Sequence, residues 1–289
     1  MNYIILDLEW TGSFIKSKKK HINEVIQFGA VKLDENLKLI DKFESYVRPI
    51  FASRISTDVS KLTNISEQKV FSAKVFSKVL WDFKKWCGED YILASWSDAD
   101  LRILLENHQL SPSKFKYPIE CKYFDLQKYC QTRLDFSLGK QISLEDIAIT
   151  LEIDLQNMQL HTALDDAHLS SLCFEKVFKQ GTIDEFIIEI NNEFFERILF
   201  KPKYIISIKN ELAPKNLYAY CPECEEKLYT DKFHLWRSRN NRFRAQLPCP
   251  NCEKEFVCWV QLKVTYDGVV VKRYAKEVVE IDESVVENS

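Results

Sequence analysis

A mixed α/β domain followed by a small metal-stapled module is the architecture this sequence predicts, and three observations predict it. The first is an apolar, β-prone run, Tyr3, Ile4, Ile5 and Leu6, that leads into Asp7 and Glu9. Such a run reads as a buried central strand that delivers polar groups at its exit. The second is a change of period along the chain. Val25, Ile26, Phe28, Ala30 and Val31 make a strand-like run, whereas Val70, Phe71, Val75, Val79, Leu80 and Phe83 recur at helical intervals. The third is a pair of C-x-x-C motifs near the C-terminus, Cys221-Pro222-Glu223-Cys224 and Cys249-Pro250-Asn251-Cys252.

Side chains at i and i+2 of a strand point to the same face, so Asp7 and Glu9 present two carboxylates to one small volume. Hard oxygen donors of this kind suit magnesium or manganese. A third carboxylate is offered by ASWSDADLRIL, where Asp98 and Asp100 both precede a helix and either favours the positive end of its dipole. On this ground either is the ligand, and Asp98 also fits a solvated cap or a supporting group. His161 and Asp166 in HTALDDA are five apart, about 140° on a regular helix, and so do not share a helical face. The conflict disappears if the helix begins after the histidine. Thr162 is then the N-cap, Asp165 closes a capping-box-like pair, and Asp166 lies in the first turn of a helix running through Leu164, Ala167, Leu172, Phe174 and Phe178. His161 remains a loop residue.

In this order, D-x-E-x-T, a middle aspartate and H-x-x-x-x-D, the motifs resemble those of the DEDDh 3'-to-5' exonucleases. The stretches EVIQFGAVKLD, FESYVRP and KLTNISEQKV also look like those of KapD-type bacterial proteins and of Eri-type exonucleases that trim structured RNA. The resemblance covers roughly residues 1 to 180. It implies an RNase H-like mixed sheet flanked by helices, with three antiparallel strands near residues 2–8, 23–33 and 37–48 and two further strands alternating with helices. It also implies two magnesium or manganese ions held by Asp7, Glu9, Asp100 and Asp166, and His161 as the general base. The expected products are nucleoside 5'-monophosphates, with RNA favoured over DNA as the polymer.

The two C-x-x-C pairs are separated by 24 residues. Four thiolates at this spacing suit tetrahedral zinc, and with Cys221, Cys224, Cys249 and Cys252 all bound the ion is structural, with no open position for water. Between the pairs lies KLYTDKFHLWRSRNNRFRAQ, with six bases, Lys227, Lys232, Arg237, Arg239, Arg242 and Arg244, against the single acid Asp231. Tyr229, Phe233, Trp236 and Phe243 are interleaved with them. Trp236 with Arg237, Arg239, Arg242 and Arg244 is expected to hold a nucleic-acid strand by stacking and phosphate contact. The same pattern also fits aromatics filling a tiny core beneath a solvated basic face. A zinc-ribbon nucleic-acid binder with a silent exonuclease-fold scaffold is the alternative function.

Formal net charge is only −3, so nucleic-acid binding has to come from local patches. Lys16, Lys18, Lys19 and Lys20 with His21 form one more, in the expected turn between the first two strands, where steering of a phosphate backbone and a solvated turn both fit. With 6 glycines and no G-x-G-x-x-G or P-loop, the chain offers no familiar nucleotide-cradling loop. The expected organisation is an exonuclease domain over residues 1–183, a connecting helix and linker over 184–215, a zinc ribbon over 216–276 and an acidic tail over 277–289. DEFIIEINNEFFERILF in the linker reads as an amphipathic helix, with Phe186, Ile187, Ile190, Phe194 and Ile198 on one side, for packing on the catalytic domain or for a homodimer. The remaining five cysteines are scattered, no signal peptide is visible, and no apolar run spans a membrane, so a reducing cytoplasmic setting is expected.

Overall fold

A strand that alternates apolar side chains to both faces must be covered on both, and β1 (Asn2–Ile15) sets the architecture in this way. Ile4, Leu6 and Leu8 enter one core cluster, whereas Tyr3 and Ile5 enter another on the opposite side. The computed structural model describes residues 1–111, 117–138, 141–156, 158, 160–201, 217–239 and 242–278. The chain divides into two compact units, Met1–Leu199 and Phe200–Ser289.

In the first unit β1 pairs antiparallel with β2 (Lys20–Leu33), which pairs antiparallel with β3 (Leu39–Arg48). The first two strands run further than expected, pairing out to Ile15 and Lys20 around a 3-10 turn at Lys16–Lys18. The basic run therefore caps a long hairpin. Helices α1 (Thr57–Thr63) and α2 (Glu67–Phe71) follow, each capped by a serine hydroxyl, Ser56 and Ser66. The helical period read over residues 70–83 is interrupted by β4 (Lys74–Val75), which pairs with Val47 and Arg48 before α3 (Phe76–Cys87) begins.

Next come β5 (Tyr91–Ser95), α4 (Ala99–Leu110), β6 (Lys122–Asp125), α5 (Leu126–Arg133), α6 (Leu144–Thr150) and α7 (Ala163–Val177). The sheet order is β4-β3-β2-β1-β5-β6 with β7 (Ile188–Glu189) at the far edge, β5 being parallel to β1 and β6 parallel to β5. This mixed seven-stranded sheet flanked by helices is the RNase H-like arrangement the sequence led us to expect. Phe76, Val79 and Phe83 of α3 and Leu101 and Leu104 of α4 pack on one side. Leu169, Cys173 and Phe174 of α7 with Ile147 of α6 pack on the other.

The segment expected to be one amphipathic helix over residues 184–200 is not one. It forms a 3-10 turn at Asp184–Phe186, the strand β7 (Ile188–Glu189) and the helix α8 (Asn192–Ile198), which is capped by the Asn191 side chain. The β-branched run is captured by the edge of β6, with Ile188 opposite Tyr123, and this pairing outweighs the helical period. Ile190 and Phe195 are buried in the core of the same unit, and Phe195 stacks on Tyr117 at 4.7 Å. The expected packing on the catalytic domain is present, and the continuous helix offered as a dimer face is not.

In the second unit the strands are β8 (Tyr218–Tyr220), β9 (Lys227–Tyr229), β10 (Arg237–Arg239), β11 (Arg242–Pro248), β12 (Glu255–Thr265) and β13 (Gly268–Glu277). The first two form a hairpin and the other four an antiparallel sheet in chain order. Trp236 and Phe243 are buried with Leu228, Leu247 and Phe256 in the core of this module. Of the acidic tail expected over residues 277–289, Glu277 is the last residue of β13 and residues 279–289 lie outside the described residues. No helix among the described residues is long and apolar enough to cross a membrane.

Candidate active site and cysteine cluster

Asp7 and Glu9 emerge from β1 on the face covered by α7, the face that Tyr3 and Ile5 occupy earlier in the strand. The β1–β2 register shifts between Glu9 and Trp10, a bulge beside the paired carboxylates. Asn107 of α4 accommodates it: its Oδ1 accepts from Val25 N at 3.1 Å and its Nδ2 donates to Asn23 O at 2.8 Å.

Asp166 arrives from the other side. Helix α7 starts at Ala163, and the Thr162 Oγ1 accepts from Asp165 N at 3.2 Å, so the cap falls where the His161–Asp166 spacing demanded. Asp165 returns the contact through its carboxylate, 3.0 Å from the Thr162 hydroxyl, rather than through the backbone of the cap residue. Carboxylate oxygens of Asp7, Glu9 and Asp166 all lie within 4.8 Å of one another.

Asp100 stands behind this trio. It is buried in the first turn of α4, and its Oδ1 accepts from Leu8 N at 3.1 Å. That amide is free because the β1–β5 pairing ends at Ile5 and Ala94. Asp98 instead lies outward, its carboxylate 3.4 Å from Arg102. His161 sits exposed at the rim in the left-handed region, φ 67°, and its backbone N–H donates to Asp166 Oδ1 at 3.3 Å.

Electrostatics mark the cluster as short of positive charge. Burial, then the neighbouring Asp100, Asp166 and Glu9, hold the Asp7 carboxyl well above the usual carboxylate range. Burial and the charges of Asp166 and Asp100 push Glu9 up to about 8. Burial pushes Asp100 up to about 7 against the opposing hydrogen bond from Leu8. Asp166 is raised by burial, while the His161 N–H and the His161 charge act in the opposite direction. Buried carboxylates that repel one another without a lysine or arginine partner among the described residues suit divalent cations with a preference for oxygen.

Two residues missed in the sequence position the site. Gln27 is buried, accepts from Ala163 N at 3.2 Å and donates to Glu44 at 2.8 Å, which fixes the start of α7. Gly29 pairs with Asp7 and lies under the same helix turn. A glycine within an otherwise apolar strand run is a signal of close backbone approach and would have pointed to it.

In the second unit the four cysteines of the two C-x-x-C pairs converge. Each pair forms the same turn. Cys221 N donates to Glu226 O at 2.8 Å and Glu225 N to Cys221 O at 3.0 Å, while Cys249 N donates to Lys254 O at 2.8 Å and Glu253 N to Cys249 O at 3.1 Å. Glu225 and Glu253 are both left-handed, φ 59° and 54°. Sulfur separations of 3.8 Å for Cys221–Cys252 and 3.5 Å for Cys224–Cys249 approach the ~3.8 Å edge of a tetrahedron with Zn–S about 2.3 Å. A cysteine cluster of this kind on paired hairpin turns fits a zinc ribbon. The expectation for Trp236 is corrected: its ring is 4 % exposed, occupied by core packing and closed to a base.

The mixed sheet with its flanking helices has the RNase H-like exonuclease fold, and the acidic cluster lies on the face covered by α7. A family model described as exonuclease, RNase_T, matches residues 4–174. The chain belongs to this exonuclease family. Over 224 residues it is 27% identical to the PolC-type DNA polymerase III of Clostridium perfringens, an alignment that takes in 75% of this chain and 14% of the polymerase. A solved 3'-exonuclease, described by its 3'-end specific recognition of histone mRNA stem-loop, shares the fold at TM-score 0.54 and 21% identity, covering 66% of this chain and 91% of that one. The nuclease domain of 3'hExo, a DEDDh family member bound to rAMP, matches at TM-score 0.51 and 22% identity, covering 62% and 92%.

Proposed function

We propose that this chain removes nucleotides one at a time from the 3' ends of single-stranded or structured RNA, in preference to DNA, and releases nucleoside 5'-monophosphates. The observation that carries the reading is the convergence of Asp7, Glu9 and Asp166 on one point with Asp100 behind them. Asp7, Glu9, Asp100 and Asp166 would hold two magnesium or manganese ions, the four carboxylates offsetting the charge of the two cations. When bound, such a pair supplies Lewis acidity on both sides of the scissile phosphate.

The chain's own groups do the rest. The His161 imidazole, at the solvent rim beside Asp166, takes the proton from the attacking water as general base. Asp166 holds the loop that carries this histidine through the backbone N–H. Gln27 and Thr162 fix the helix start on which both depend. In the second unit Cys221, Cys224, Cys249 and Cys252 hold a structural zinc ion.

RNA is favoured by the resemblance to Eri-type sequences, and the histone mRNA and rAMP ligands of the two fold neighbours support the same polymer. Incubating the protein in magnesium with 5'-labelled RNA and the matching DNA tests both polarity and polymer. A ladder that shortens from the 3' end, faster on RNA, is expected. Release of the 5' label as a mononucleotide or in short internal fragments, or faster loss of DNA, would contradict the corresponding part.

A further inference from the structure

Strand alternation sorts the basic segment of the C-terminal module into two faces. Along β11 the exposed Arg242, Arg244 and Gln246 alternate with the buried Phe243, Ala245 and Leu247. Register then extends the outer face across all four strands. Arg237 stands opposite Arg244, Arg244 opposite Trp259, and Trp259 opposite Tyr274, so two arginines and two aromatics form one continuous rung. The next rung on the same face brings Arg242 opposite Gln261 and Gln261 opposite Lys272. Residues sharing a rung are cross-strand neighbours on one face.

The rung is ordered as a stack. Trp259 and Tyr274 lie 5.1 Å apart between ring centroids with planes 16° from parallel, and the Arg244 guanidinium is 5.8 Å from the Trp259 ring. The stack ends at Tyr274, which is 48% exposed on β13, the edge strand of the sheet. The acid on this face, Glu255, lies at the far end of β12, where Gln246 hydrogen-bonds it. A flat aromatic row flanked by cations is complementary to a chain of phosphates carrying unpaired bases. A duplex, with its bases already stacked on one another, offers the phosphates and withholds the rings.

We infer that the outer face of this four-stranded sheet is a docking site for a single strand of nucleic acid, with Tyr274 and Trp259 as the stacking platform and Arg237, Arg242, Arg244 and Lys272 as phosphate partners. The site lies in the second unit and concerns binding alone, so its test needs no turnover.

The full chain, purified with its zinc, is titrated against a fluorescently labelled oligouridylate, an oligothymidylate and the duplex of that oligothymidylate with oligoadenylate in buffer without added magnesium or manganese, and anisotropy is followed. Tyr274→Ala should weaken binding of both strands by roughly 5- to 100-fold, the range for loss of one base stack, while Tyr274→Phe retains it. Tyr229→Ala, which removes an exposed tyrosine from the other sheet of the module, should leave it unchanged. The double variant Arg242→Gln/Arg244→Gln leaves the core untouched and should flatten the slope of log affinity against log salt by about 1.4, two phosphate contacts at about 0.7 each for single strands. Zinc content and thermal melting establish that each variant is folded. Unchanged affinity in the folded Tyr274→Ala and double-arginine variants, or equal affinity for the duplex, would overturn the inference.

Discussion

Gly29 lies directly against Ala163: a Cβ on the glycine would stand 2.0 Å from the Ala163 carbonyl carbon and 2.2 Å from Leu164 N. Both contacts are backbone, so no side-chain rotation relieves them. Gly29 is the partner of Asp7 across the β1–β2 pair, and the close approach is what brings Asp166 within reach of Asp7. Gly29→Ala must lift the first turn of α7. Destabilisation of about 1–3 kcal/mol is expected from overpacking. Turnover should fall by about 100-fold or more, because misplacement of a reacting group by about 1 Å has that cost. Thermal denaturation and steady-state rates on the same preparation measure both.

The two aspartates before α4 should separate cleanly. Asp100 is buried with its carboxylate on Leu8 N, whereas Asp98 is paired with Arg102 at the surface. Asp100→Asn is expected to lower hydrolysis by about 100-fold or more, since support of several kcal/mol is lost at the phosphate. Asp98→Asn should stay within a few-fold of the parent, as surface pairs contribute at most about 1 kcal/mol. Equal rates for the two variants would exclude Asp100 as a ligand.

His161 lies outside the cluster core, tied to Asp166 through its backbone N–H rather than its ring. Removing the imidazole therefore leaves the carboxylates in place. For His161→Ala, kcat should drop by about 100- to 10,000-fold with little change in substrate affinity. A fall in affinity with kcat retained would assign the ring to binding instead.

Proton linkage gives the cluster a pH signature. Folding raises Glu9 from 4.5 to about 8 and Asp100 from 3.8 to about 7, so the folded, metal-free protein holds more protons than the unfolded chain between those values. Stability then falls as pH rises through that window, the reverse of the usual salt-bridged carboxylate. Divalent cations favour the ionised forms and offset the loss. Melting temperature without magnesium should decline from about pH 5 to about pH 8, and the gain on adding magnesium should grow over the same range. A magnesium effect independent of pH would separate metal binding from these carboxylates.

Local chemistry made much of this site legible in the sequence. The period of a strand placed Asp7 beside Glu9, and the geometry of a helix forced a start between His161 and Asp166, where Thr162 does cap α7. What stayed hidden depends on pairing between distant residues. Trp236 and Phe243 looked like stacking surfaces and are core, while Trp259 and Tyr274 form the exposed stack, because register rather than spacing decides which face a ring occupies. The helical period of residues 184–200 was real, yet the edge of β6 drew Ile188 into the sheet. Glu24 gave no local sign of its role. Its buried carboxylate accepts from the amides of Ile50, Phe51 and Ala52 and from the Ser13 hydroxyl, fixing the chain where it leaves β3.

The most direct measurement is release of mononucleotides from a single-stranded RNA by the intact chain and by Asp7→Asn, each with magnesium and with the magnesium withheld. Nucleoside 5'-monophosphates should accumulate only for the intact chain with magnesium present. Equal release by Asp7→Asn, or release that does not respond to magnesium, would contradict hydrolysis at the Asp7–Glu9–Asp166 cluster.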